Sequence, residues 1–156
     1  MARIRVSTVI DASRPQVWDA IEDVSTHIRW MHDAEVIRIT SKKTRGVGTT
    51  FECDTRVGPF RLTDRMAITG WERNRCMAVD HEGLVKGRGR FILKRARGGR
   101  TTFIWKETLR FPFWMGGPVG GFFGAFVLRR IWRANLRGLR QVVEESTVDG
   151  TAPRGA

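Results

Sequence analysis

The chain contains no tyrosine, so no phenol can serve as an acid or a hydrogen-bond donor in it. Its two cysteines, Cys53 and Cys76, form no CxxC pair. That excludes a dithiol redox motif and fits a reduced, cytoplasmic protein with two small core residues. The histidines, His27, His32 and His81, show neither HxxH nor HExxH spacing, so no metal site is expected. GxSxG, Walker A and Rossmann glycine patterns are absent, and no cofactor is implied. Gly87-Arg88-Gly89 is too short for a phosphate loop and reads as a kink or a close approach within a strand.

Long hydrophobic runs are nearly absent as well. The opening MARIRVSTVIDAS has no apolar stretch of the kind a signal peptide needs. Phe111 to Leu128 runs 18 residues without a charge, but it holds Pro112, Pro118 and several glycines. A spanning helix needs ~20 predominantly apolar residues. We expect instead a loop followed by the start of a buried helix.

What is present is core material and positive charge. With 156 residues, 41% of them apolar, and six Trp and nine Phe, the chain can bury one large core without disulfide or metal staples. We expect a single domain over residues 1–146 and a disordered tail over 147–156. The net charge is +12, from 28 Lys and Arg against 16 Asp and Glu. Such a balance points to acidic partners, and the dominance of Arg over Lys is also what a GC-rich genome writes onto a solvated surface.

Residues 3–10 alternate as a half-buried strand. Ser13 and Gln16 stand at capping-box spacing with Pro15 between them, and Val17, Trp18, Ile21 and Val24 recur at helical spacing. From about 34 to 111 the pattern is strands and turns, with Gly58-Pro59 and Gly98-Gly99 closing hairpins. Leu128, Ile131, Trp132, Leu136, Leu139, Val142 and Val143 then mark a long helix over roughly 119–146. A run of about six antiparallel strands flanked by helices argues an α+β fold. The long helix would cover a curved antiparallel sheet of about seven strands.

The segment Val9-Ile10-Asp11-Ala12-Ser13-Arg14-Pro15-Gln16-Val17-Trp18, with Asp23, Trp30, Trp71, Arg75 and Trp105-Lys106-Glu107, resembles the START-like (SRPBCC) superfamily. Within it the chain is similar to the polyketide cyclase/dehydrase and lipid-transport group, which includes the birch-pollen-allergen fold. The resemblance spans about residues 3–145. It implies a helix-grip fold with an internal cavity for an apolar ligand, and no single activity.

Asn135 falls at the centre of the inward helical stripe, where its amide could serve a ligand's carbonyl or hydroxyl. Phe51, Leu62, Met66, Met77, Phe91, Phe103, Trp105 and Ile131 are the expected apolar lining. Glu107 alternates in phase with Phe103 and Trp105, and Asp64 with Leu62 and Met66. His81 falls in with Met77 and Val79, and His32 is placed near the cavity mouth. A histidine–carboxylate pair inside an apolar cavity is a route to proton transfer. Glu107, Asp64 and His81 are therefore the catalytic candidates if the protein is an enzyme.

Arg61, Arg65, Arg88, Arg90, Lys94, Lys106 and Arg110 should face outward on the strands, and Arg130, Arg133, Arg137 and Arg140 on the helix. The aromatics fall on the opposite strand face, which argues against nucleic acid, whose single strands need stacking platforms. Anionic lipid headgroups need only charge. Trp114, Met115, Phe122 and Phe123 are the expected gate and membrane contact. The resulting expectation is a cytoplasmic protein, peripheral to an anionic membrane, that binds or carries a lipid, fatty acid or polyketide. The alternative is a polyketide cyclase, aromatase or dehydratase.

Overall fold

The computed structural model describes residues 1–113 and 117–149, with the backbone alone over 117–122. Seven strands form one antiparallel sheet: β1 (Ala2–Ile10), β2 (Ala34–Ile39), β3 (Thr50–Val57), β4 (Phe60–Glu72), β5 (Cys76–Glu82), β6 (Lys86–Arg95) and β7 (Thr101–Arg110). Their spatial order is β1-β7-β6-β5-β4-β3-β2, so β1 and β2 are the open edges. A short helix, α1 (Arg14–Ile21), a 3₁₀ turn (Val24–Arg29) and the long α2 (Gly117–Asp149) complete the chain.

Local chemistry explains the boundaries. The Ser13 hydroxyl accepts from the Gln16 amide while the Gln16 side chain accepts from the Ser13 amide, the capping box expected at the start of α1. The β3–β4 hairpin turns through Gly58 at φ 58°, a conformation open to residues without a Cβ. At the β2 edge, a register shift between Ala34 and Val36 interrupts the ladder, and Arg38 pairs with Asp54 at 2.6 Å.

The core lies between the concave sheet face and the helices. Trp132, Leu136, Leu139 and Val143 are buried on α2 against Ile4 and Val6 of β1 and Trp18 of α1. Trp132 stacks on Trp105 of β7 with ring centres 4.7 Å apart. The predicted outward arginines of β4, β6 and α2 are all exposed, as are Lys94, Lys106 and Arg110.

Two expectations need correction. The helix extends to Asp149, so residues 147–149 belong to it and not to a tail. The hydroxyls of Ser146 and Thr147 donate back to the carbonyls of Val142 and Glu144, within the helix. Residues 150–156 lie outside the described residues. Nor is the first part of α2 a buried helix. Phe123 and Phe126 are 66% and 67% exposed, while Ala125 and Leu128 of the same turns pack partly buried against the core. Among the described residues no helix is long and apolar enough to cross a membrane.

Candidate functional site: an apolar cavity with a carboxylate–imidazole–carboxylate cluster

Sheet curvature leaves a cavity of about 180 Å³ between strands β3–β7 and the N-terminal half of α2. One water needs ~10–15 Å³, so this is much more than a solvent void. Of the expected lining, Phe51, Leu62, Met66, Met77, Phe91 and Trp105 do border it. Phe103 and Ile131 do not: Phe103 is fully buried in the core beyond the cavity, and Ile131 packs partly buried beside Trp132. Trp114, Met115 and the side chain of Phe122 lie outside the described residues.

Asn135 also has a different place from the one expected. It is completely buried, but its amide donates to Asp33 at 2.7 Å and its carbonyl accepts from the His32 amide at 3.0 Å. It ties α2 to the loop before β2 and does not border the cavity. A helix rises ~1.5 Å per residue, so Asn135 sits ~10 Å beyond Leu128, which does line the space. His32 is exposed and does not border the cavity either.

Asp64, His81 and Glu107 come together on the cavity wall. His81 Nδ1 lies 2.5 Å from Asp64 Oδ2, and Nε2 lies 3.2 Å from Glu107 Oε2. Glu107 also accepts from the Trp105 indole N–H at 2.8 Å. Burial opposes a charge on His81. The hydrogen bonds to Asp64 and Glu107, and the negative charges of both, outweigh it and push the imidazole up to about 10. His81 is therefore an imidazolium at neutral pH, and each ring N–H donates to a carboxylate.

The glycine pair in β6 makes this possible. Gly89 stands opposite Glu107 in register, and a Cβ on it would come within 2.7 Å of the Glu107 carboxyl carbon. Gly87 stands opposite His81.

Of three further residues of the cavity wall, Cys53 alternates in phase with Phe51, and Asp33 and His27 have no sequence pattern to mark them. Asp33 is buried in a loop, outside any strand alternation, and borders the cavity while bonded to Asn135. His27 donates Nε2–H to the Ile21 carbonyl at 2.7 Å, and burial pushes its pKa down to about 4, so it stays neutral. Cys53 is held as a thiol, pushed up to about 11 by burial and by the negative charges of Asp33, Asp64 and Asp54.

Residues 1–144 match the model of the polyketide cyclase / dehydrase and lipid transport family. The chain belongs to this family. No curated protein matches it. Solved structures share the fold of this family member. One is a START superfamily protein from Mycobacterium smegmatis, at TM-score 0.78 and 13% identity, covering 93% of this chain and 99% of the other. Another is the Zhui aromatase/cyclase from Streptomyces sp. R1128, at TM-score 0.76 and 16% identity, covering 99% and 98%. A third is the protein TTHA0849 from Thermus thermophilus, at TM-score 0.78 and 14% identity, covering 92% and 98%. At such identities the likeness establishes the helix-grip fold and nothing finer.

Proposed function

We propose that the protein binds an apolar or amphipathic small molecule of the lipid or polyketide class in this cavity. The observation that carries this reading over turnover is the way the polar cluster is spent. Both His81 N–H groups go to carboxylates, and Glu107 takes donors from His81 and Trp105. No proton of the cluster is aimed at the cavity, which otherwise offers mainly aliphatic, thioether and aromatic surface. The test is native mass spectrometry of the purified protein, with solvent extraction of bound material, beside a Val79→Trp variant that fills the space. Near-stoichiometric apolar ligand in the wild type and none in the variant is the expected result. An empty wild type that also fails to bind the neutral fluorophore N-phenyl-1-naphthylamine would remove the reading.

One atom favours a second reading. Asp64 Oδ1 is buried with no hydrogen-bond partner within the protein. A shift of the side chain that opened Oδ1 to the cavity would let it accept an acidic α-proton from a poly-β-ketone, and one relative of this fold is named an aromatase/cyclase. Cyclisation with loss of water from a synthetic linear ketide thioester, abolished in Asp64→Asn, would establish the enzyme. Unchanged substrate after prolonged incubation with the wild type would leave binding alone.

We further propose that the cavity mouth rests on an anionic membrane. Phe60, Leu84, Phe113 and Phe126 are exposed at this end of the sheet, among exposed Arg61, Lys86, Arg110, Arg129 and Arg130. Exposed apolar groups within a basic rim suit an interface, at ~1 kcal/mol per basic residue near the surface. Co-sedimentation with phosphatidylglycerol vesicles, lost in Phe126→Glu and at high salt, is expected. Equal sedimentation with phosphatidylcholine would remove the role of charge.

A further inference from the structure

The outside of this protein is strongly cationic, and its cavity carries the opposite sign. Among the described residues that border the cavity, Asp33, Asp64 and Glu107 supply carboxylates. Against them stands one imidazolium, His81. Arg90 also borders the space, but it alternates outward between Gly89 and Phe91, is exposed, and its charge acts on the outward thiol of Cys76. None of the other 27 Lys and Arg residues is among the described lining. His27 and Cys53, the remaining titratable neighbours, are neutral.

We infer that the cavity selects neutral or cationic amphiphiles, which present a hydroxyl or ammonium donor to Asp64 and Glu107, and disfavours anionic ones. The inference rests on the reading that this cavity is the ligand site. One feature supports it beside the carboxylate count. Asp64 borders the cavity and its Oδ1 has no donor within the protein to offset its charge, so the carboxylate's field reaches the space. A carboxylate head would meet three carboxylates against the one imidazolium of His81, whose two N–H groups are already taken. Of the ligands expected from the sequence, the free fatty acid is therefore the one disfavoured.

The test is displacement of N-phenyl-1-naphthylamine, a neutral probe, by decylamine, 1-decanol and decanoate at neutral pH and moderate salt. The three share one chain and differ only in the head. The net charge of +12 acts in the opposite direction, drawing decanoate to the surface, so a preference for the amine and alcohol cannot arise from the outer field. We expect decylamine and 1-decanol to displace the probe at concentrations at least ~10-fold below decanoate. Glu107→Gln should narrow that gap by removing one cavity charge. Asp64→Asn serves the same purpose if the first variant does not fold. Equal displacement by decanoate would overturn the selectivity while leaving the binding site intact. Failure of a folded wild type to bind the probe at all would overturn both.

Discussion

His81 of β5 is hydrogen-bonded to Glu107 of β7 at 3.2 Å across the strand that separates them. Neighbouring strands lie ~4.8 Å apart, so two side chains on next-but-one strands ordinarily have a third between them. Here the intervening positions are Gly87 and Gly89. The cavity's polar cluster exists because β6 contributes no side chain to this part of the face.

Gly89→Ala follows directly from that geometry. The new methyl overlaps the Glu107 carboxyl, which must move and release both His81 and Trp105. We expect a loss of ~1–3 kcal/mol in urea unfolding, the usual range for overpacking. With one carboxylate displaced, the His81 imidazole should titrate nearer its ordinary value of 6.5, visible as an imidazole NMR shift moving into the neutral range.

The pH dependence of stability should be bell-shaped with its summit near 6.5. His81 titrates at about 10 folded against 6.5 ordinarily, so its contribution is complete below 6.5 and is lost as pH rises towards 10. His27 has the opposite sign. At about 4 folded against 6.5, it stays neutral where the unfolded chain is protonated, so stability falls as pH drops from 6.5 towards 4. Asp23 and Asp54, held low by Ser25 and Arg38 respectively, add to the loss at the acid end. Thermal midpoints across this range check the shape. His81→Gln should flatten the alkaline limb and His27→Gln the acid one between 4 and 6.5.

Asn135→Ala removes both partners of the loop before β2. Asp33 loses its amide donor in a buried position, and the His32 N–H loses its acceptor in a part-buried one. We expect ~1–3 kcal/mol lower stability for each unsatisfied buried group, with the urea m-value unchanged.

Gly138→Ala tests the same seat from the next turn of α2. Alanine is favoured over glycine in a helix by ~1 kcal/mol. The added Cβ would lie 2.8 Å from the Trp30 carbonyl and 3.2 Å from His32 Nε2. The carbonyl belongs to the backbone and cannot swing aside, so we expect net destabilisation. A stabilised variant would mean that the loop yields.

Much of this architecture can be read from alternation alone. Leu62, Asp64 and Met66, then Met77, Val79 and His81, then Trp105, Glu107 and Leu109 each mark an inward face, and all of these residues border the cavity. Their convergence is not readable, because it depends on register between strands and on the space above Gly89. Asn135 shows the complementary limit. Helical phase gives direction around the axis, not what the helix faces at that height, and there it faces the His32–Asp33 loop. Asp33 itself lies in that loop, where no periodicity marks a residue as inward.

The sheet is open, and its β1 edge runs nine residues. An unpaired edge of that length is a template for association with another copy. Along it, Arg3 and Arg5 alternate with buried Ile4 and Val6 and are exposed on the outer face. An extensive antiparallel pairing of two such edges would set the arginines of both copies on one shared face, and like charges placed side by side on a sheet repel. At the other edge the interruption between Ala34 and Val36 breaks the template. Arg3 and Arg5 thus oppose edge-to-edge pairing of this open sheet, a role for positive charge that requires no ligand.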